Sequence, residues 1–295
     1  MPDNTFKYFS RDYILSVLKE NNLRIQKRFG QCFMVNAGAV DHMLKSTELE
    51  DGDTIVEIGP GFGTLTHRLV QLPNKVIVFE LDKGLFQILK KNLGSYQNVE
   101  LHPGDFLKIG FESLKDKKNI VIISNLPYYI SSPILYSIYK SRLDVKSLTI
   151  TVQREVGERI VAKPMSKSYG VLSILSQYFM DPSIIMKLSS TSFFPPPNVD
   201  SCVVYLKRRD NLLDISNLRF FMNLTDALFK QRRKTVLNNL KSFSDIQVLN
   251  QDQILSCLKF SRIDTRSRAE TLCLEKIIDL SHNLEMKINS EDSIP

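Results

Sequence analysis

The chain has 295 residues, 43% of them hydrophobic and 24% charged, which suits one large globular domain and a small second one. A formal net charge of +7 makes an anionic partner the natural expectation. Cys32, Cys202, Cys257 and Cys273 stand far apart, the histidines are scattered, and no apolar run is long enough to span a bilayer. A disulfide framework, a metal centre and a membrane protein are thus disfavoured, and a soluble, cytoplasmic, monomeric protein is expected.

Residues 1–24 read as an amphipathic helical lead-in, with Tyr13, Ile14, Leu15, Val17 and Leu18 as its apolar content. Residues 26–36 are basic, then aromatic, around Gly30. This stretch is either a lid over a ligand or a loop that docks the N-terminal helix. A helix over 39–44 leads to a short, β-branched, apolar run at 54–58, the pattern of a strand buried on both faces of a parallel sheet. Gly59, Gly61 and Gly63 come next, and then Leu65, Leu69 and Leu72 at helical spacing. Strand, glycine turn and helix make the first unit of a nucleotide-binding fold, because glycine lets the backbone turn sharply and approach a ligand closely.

The second strand, 75–79, ends at Glu80, about 20 residues beyond the glycine turn, where a carboxylate grips the hydroxyl pair of a ribose. The turn lacks the third glycine of the dinucleotide spacing, and Pro60 removes a backbone donor that a pyrophosphate would use. NAD stays open at this point, but Glu57-x-Gly59-Pro60-Gly61 points to S-adenosylmethionine, which has no phosphate to hold. A helix over 85–93, a third strand at 99–102 and Gly104-Asp105 follow. Asp105 can accept a hydrogen bond from an exocyclic amine, or simply satisfy its own turn.

A fourth buried strand, 120–123, runs into Asn125-Leu126-Pro127-Tyr128 at the strand end where open α/β sheets bind ligands. An exocyclic adenine amine is a poor nucleophile, because its lone pair is conjugated into the ring. Acceptors for both amine hydrogens, the Asn125 side-chain oxygen and the Leu126 carbonyl, favour the reactive geometry. Pro127 stiffens the turn, and Tyr128 offers a flat face to a base. Ser131 or Ser132 is expected to cap the next helix, with Pro133 in its first turn. A fifth strand at 147–152, helices at 154–161 and 169–180, and a closing strand pair at 184–188 and 202–207 complete the first domain. Between that pair lie Phe193 and Phe194, followed by three prolines; one phenylalanine can face Tyr128 and close a sandwich around a base.

The polar stretch 207–214 reads as a domain boundary. Helices are expected at 218–229, 236–240, 253–258 and 270–284, with 289–295 frayed. Lys230, Arg232, Arg233 and Lys234 put four cations in five residues with no acid in the run, a candidate phosphate-contacting cluster.

Taken in order, Arg28-Phe29-Gly30-Gln31, the stretch 56–61, Glu80-Leu81-Asp82, Gly104-Asp105, the stretches 125–132, 152–156 and 193–201, and Gln231-Arg232-Arg233-Lys234-Thr235 carry a resemblance. The chain resembles the small-subunit ribosomal RNA adenine N6,N6-dimethyltransferases of bacteria over residues 26–284. The resemblance implies an α/β fold: a Rossmann-like class I methyltransferase domain over 1–210, with a mostly parallel seven-stranded sheet. It implies a small all-helical, RNA-contacting domain over 211–295. It implies dimethylation of two adjacent adenosines in a hairpin near the 3′ end of small-subunit RNA, together with a role in ribosome assembly. Carried over by position, the S-adenosylmethionine contacts are Cys32, Met34, Gly59, Gly61, Glu80, Asp105 and Asn125. Asn125, Leu126, Pro127, Tyr128 and Phe193 are the catalytic set, and Arg232, Arg233 and Lys234 the RNA contacts. The chain departs from the family at Cys32, where Asn or His is usual, at Tyr129, where Asn is usual, and at Gly84, where an acidic or polar residue is common. The competing functions are the related large-subunit adenine methyltransferases of antibiotic resistance and a non-catalytic assembly factor.

Overall fold

The structure, a computed structural model, describes residues 4–26, 30–141 and 143–291. Lys27, Arg28 and Phe29 of the expected lid, and residues 292–295 of the expected frayed end, lie outside the described residues. Two compact units form: Met1–Glu158 with Met180–Arg208, and Arg159–Phe179 with Arg209–Pro295.

The first unit opens with a 3-10 turn, Asn4–Phe9, and α1, Arg11–Glu20, whose first turn is capped by Ser10. Ile14, Val17 and Leu18 of α1 bury against Phe33, Phe62, Leu85 and Ile88, which is what its amphipathic pattern required. A two-residue strand, β1 (Phe33–Met34), and α2 (Ala37–Ser46, capped by Asn36) lead to β2, Thr54–Ile58. The helix after the glycine turn, expected to reach Leu72, is a single turn, α3 (Thr66–Leu69). Then come β3 (Lys75–Glu80), α4 (Lys83–Leu93), β4 (Val99–Pro103), α5 (Phe106–Leu114) and β5 (Ile120–Asn125). Next are α6 (Ser131–Lys140), β6 (Val145–Gln153) and α7 (Arg154–Ile160). The cap expected from Ser131 or Ser132 is absent: a 3-10 turn, Tyr128–Ile130, feeds α6 directly, and Ser131 Oγ donates to the Tyr128 carbonyl at 3.2 Å.

After α8 (Val171–Phe179), the chain returns through β7 (Met180–Leu188), β8 (Phe193–Phe194) and β9 (Ser201–Arg208). The seven-stranded sheet has the order β4-β3-β2-β5-β6-β9-β7. Six strands run parallel, and β9 is inserted antiparallel between β6 and β7. The β-branched runs of β2, β3 and β5 are buried on both faces, as a central parallel sheet demands. A separate two-stranded sheet is a small ribbon that sequence periodicity did not announce. Its strands β1 and β8 run antiparallel, with Met34 opposite Phe193 and Phe33 opposite Phe194.

The second unit is helical: α8, then α9 (Leu218–Phe229), α10 (Val236–Leu240), α11 (Gln251–Phe260) and α12 (Leu274–Glu291). The division at residue 210 expected from sequence put α8 in the first domain, and the structure corrects it. Tyr178 packs its ring 5.3 Å from that of Phe221 in α9, and the Tyr169 hydroxyl donates to the Leu272 carbonyl at 3.0 Å. An apolar helix follows the partner that buries it, and here that partner comes later in the chain. No helix among the described residues is long and apolar enough to cross a membrane.

Candidate active site

Strand order reverses at β2, which has β3 on one side and β5 on the other. A crevice opens at such a point beyond the C-terminal strand ends. Here it is a cleft of about 920 Å³, counted to its solvent-open mouth. Cys32, Met34, Gly59, Gly61 and Glu80, and Asp105, Asn125, Leu126, Pro127 and Tyr128, all line it.

The glycine turn is shaped by what lies behind it. Gly61 has φ +63°, and a Cβ there would stand 2.7 Å from Phe33 Cδ1. Its backbone N–H donates to Glu80 Oε2 at 3.1 Å, while the Asp82 N–H donates to Glu80 Oε1 at 2.8 Å. Each Glu80 oxygen so held keeps a lone pair for a ligand hydroxyl. Glu80 is 6% exposed, and that burial pushes its pKa up to about 7 against the two backbone donors. Glu57 beside it is buried, accepts the Thr66 hydroxyl at 2.7 Å, and is pushed up to about 8, by burial first and by the Glu80 charge besides. Asp82 caps α4 and also accepts from Gln26 Nε2 at 2.7 Å and from Gln31 Nε2 at 3.3 Å. These bonds bind both flanks of the glutamine-bounded loop to the rim of the cleft. Of the 26–36 stretch, Gly30, Gln31, Cys32, Phe33 and Met34 line the cleft, and Phe33 packs against α1. Asp105 caps α5 through a 3.0 Å bond from the Leu107 N–H. A Cβ at Gly84 would lie 2.5 Å from Leu23 Cδ2.

Glu57, Glu80, Asp82 and Asp105 line the cleft, and no lysine or arginine does so among the described residues. Such a wall suits a ligand with a positive centre. S-adenosylmethionine, a sulfonium with a ribose, has that chemistry.

Asn125 ends β5 with its amide orientation fixed. Its Nδ2 donates to the Cys32 carbonyl at 3.1 Å, so Oδ1 is an acceptor by elimination. That Oδ1 is buried and has no partner among the described residues. A buried acceptor is rarely left unpaired without a reason, and a site for a donor ligand is such a reason. Tyr128 follows, with its hydroxyl sharing a 2.5 Å hydrogen bond with Ser201 Oγ.

Phe193 does not line the cleft. It is 3% exposed, and its ring meets that of Tyr128 edge to face, with centroids 6.4 Å apart and planes at 75°. The sandwich expected from the sequence is therefore not formed, because pairing with Met34 turns Phe193 into the apolar core, with its ring steeply inclined to that of Tyr128. Phe194 faces the other way, and the Arg11 guanidinium sits 5.0 Å from its ring centre. In the second unit, Arg232 donates to the Lys167 carbonyl at 2.8 Å and pairs with Glu270 at 2.9 Å. The cation run thus has an acidic neighbour that its local sequence did not reveal, while Arg233 and Lys234 are exposed. Sequence reasoning also missed any role for Glu57, Phe33 and Ser201. Glu57 opens the glycine motif and Ser201 closes the proline-rich one, but no spacing rule gives either its partner.

A sheet of this order, with its one antiparallel strand beside the last and its ligand cleft at the reversal of strand order, defines a class I methyltransferase fold. Solved structures share it. One is a dimethyladenosine transferase from Plasmodium falciparum, with a TM-score of 0.72 and 24% identity, covering 86% of this chain and 98% of that one. The 23S rRNA methyltransferase ErmE gives 0.63 at 20% identity, with 85% and 99% covered. Sequence narrows the class to a family. The ribosomal RNA adenine dimethylase profile matches residues 22–284, and the chain belongs to that family. The ribosomal RNA small subunit methyltransferase A of Clostridioides difficile strain 630 is 38% identical over 280 residues, covering 93% of this chain and 96% of the relative.

Proposed function

We propose that the chain transfers methyl groups from S-adenosylmethionine to N6 of two adjacent adenosines in a hairpin near the 3′ end of small-subunit rRNA. Each target becomes N6,N6-dimethyladenosine. We propose further that it meets its RNA in an assembling small-subunit particle in the cytoplasm. The observation that carries the chemistry is the buried, unpartnered Asn125 Oδ1, oriented by the Cys32 carbonyl. Family membership and the small-subunit relatives favour the RNA named here over large-subunit RNA.

When bound, S-adenosylmethionine supplies a methyl group already activated by its sulfonium. Glu80 holds the ribose hydroxyls with the lone pairs its backbone donors leave over, and Asp105 takes the adenine amine of the cofactor. Cys32, Met34, Gly59 and Gly61 shape the rest of that pocket. Asn125 Oδ1 and the Leu126 carbonyl accept the two hydrogens of the target amine and draw its lone pair out of ring conjugation. Pro127 stiffens the turn that aims them, and the face of Tyr128 stacks the flipped base. Phe193 holds the far side of the base pocket through Tyr128. The remaining work is alignment, which brings the amine and the methyl group into line. Arg233 and Lys234, with Arg232 beside them, contact phosphates.

The test is a tritiated-methyl assay on small-subunit particles, large-subunit RNA and adenine-containing DNA, followed by mapping of the modified nucleotides. Label at two neighbouring adenosines of small-subunit RNA is expected. Label confined to large-subunit RNA would replace this reading with that of the resistance methyltransferases, and binding without label would leave an assembly factor.

A further inference from the structure

Ser201 opens β9, is fully buried, and stands opposite Gln153 of β6. Its Oγ reaches the Tyr128 hydroxyl, 73 residues earlier in the chain, at 2.5 Å. Tyr128 itself sits in a 3-10 turn, Tyr128–Ile130, that has no side-chain cap. Such a turn sets the backbone but leaves the ring free to tilt about its side-chain torsions. Two distant contacts remove that freedom. Phe193 meets the ring in a T-shaped contact, and Ser201 ties down the hydroxyl at its far end. Both contacts come from one segment, the proline-rich stretch between β8 and β9. That segment is fixed in turn at its other end, where Asn36 Nδ2 donates to Ser192 Oγ at 3.2 Å and the Val35 N–H to the Ser192 carbonyl at 2.9 Å. The stretch from Ser192 to Ser201 thus spans from the lid to the catalytic turn, with a serine hydroxyl as the tie at each end.

We propose that Ser201 is a positioning residue for methyl transfer, setting through the Tyr128 hydroxyl the tilt of the ring on which the target adenine stacks. The inference rests on the stacking role given to Tyr128 under Proposed function. A stacked base inherits the orientation of the ring beneath it, and transfer needs the amine aligned with the methyl group and with Asn125 Oδ1. Burial pushes the Tyr128 pKa up to about 12, so the phenol keeps its proton across the working range and the tie stays a neutral hydrogen bond. Ser201→Ala and Tyr128→Phe cut the same bond from opposite sides, and each leaves the ring in place.

The experiment is a double-mutant cycle in the full chain: Ser201→Ala, Tyr128→Phe and the two together. Base capture is read by the fluorescence of an RNA hairpin carrying 2-aminopurine at the target position, and transfer by single-turnover rates on small-subunit particles. Each single change is expected to lower capture and rate by about three- to tenfold, the scale of one neutral hydrogen bond. The double variant should lose no more than either single one, while the thermal midpoint and S-adenosylmethionine affinity stay at their wild-type values. Wild-type capture and rate in Ser201→Ala, or losses that multiply in the double variant, would overturn the proposal. Should either serine or phenylalanine variant fail to fold, the other still cuts the bond and decides the matter. Tyr128→Ala guards the premise: if it leaves capture intact, the stacking role fails as well, whereas a Tyr128→Ala defect beside a normal Ser201→Ala removes the inference alone.

Discussion

The Cys32 carbonyl accepts a hydrogen bond from Asn125 Nδ2 at 3.1 Å, joining positions 93 residues apart. The contact is made by backbone on one side, so the identity of side chain 32 does not enter it. A cysteine can therefore stand at this position without disturbing the contact. Cys32→Ala should therefore leave single-turnover methyl transfer within a few-fold of wild type. A loss approaching that of an Asn125 substitution would show that the thiol itself takes part.

Gly61 answers to two constraints at once, a positive φ and the nearness of Phe33. Gly61→Ala strains the turn and drives Phe33 out of its packing against Phe62, whose ring centre is 4.6 Å away. We expect S-adenosylmethionine affinity to fall by at least tenfold while the helical unit melts normally. Calorimetry showing unchanged affinity would mean that the lid accommodates the methyl group.

Glu57 and Glu80 give the stability of the fold a pH dependence. Their native pKa values, about 8 and about 7, lie above the ordinary 4.5 of a glutamate. The native chain therefore binds protons that the unfolded chain has already released. Their contribution to stability is complete below about pH 4.5 and is lost as pH rises through about 7 and then about 8. Glu57→Gln should flatten the upper part of that decline. Thermal midpoints measured without ligand from about pH 6 to about pH 9 check this. An equal slope in the variant and the wild type would place the proton elsewhere.

The two motifs that define the site were legible because each is local. A β-branched run followed by Gly59-Pro60-Gly61, and a buried strand followed by Asn125-Leu126-Pro127-Tyr128, carry their own geometry in a few residues. What stayed hidden joins distant residues. The β1–β8 ribbon is two residues deep and shows no alternation to read. The resemblance gives Phe193 to the base, but the register with Met34 that turns it inward belongs to the ribbon. Arg232 appeared unopposed because Glu270 lies 38 residues further on. Residues 159–179 were given to the first domain because only the folded chain shows α8 lying against helices not yet reached in sequence.

Arg232, Arg233 and Lys234 are all exposed, and Arg232 also pairs with Glu270 and donates to the Lys167 carbonyl. Arg233→Ala with Lys234→Ala should weaken particle binding and flatten the log K against log salt slope by roughly one to two units. Arg232→Ala should act more on the melting of the helical unit. The opposite assignment of the two effects would make Arg232 the phosphate contact.

The central claim is that Asn125 Oδ1 awaits the amine of the target adenosine. Single-turnover transfer to small-subunit particles by Asn125→Ala, at saturating S-adenosylmethionine, tests it most directly. Saturation removes any part Asn125 has in holding the cofactor. We predict a rate lower by roughly 10²–10³, the scale for one lost transition-state hydrogen-bonding group. A rate within a few-fold of wild type, in a variant that folds and binds the particle, would contradict the account.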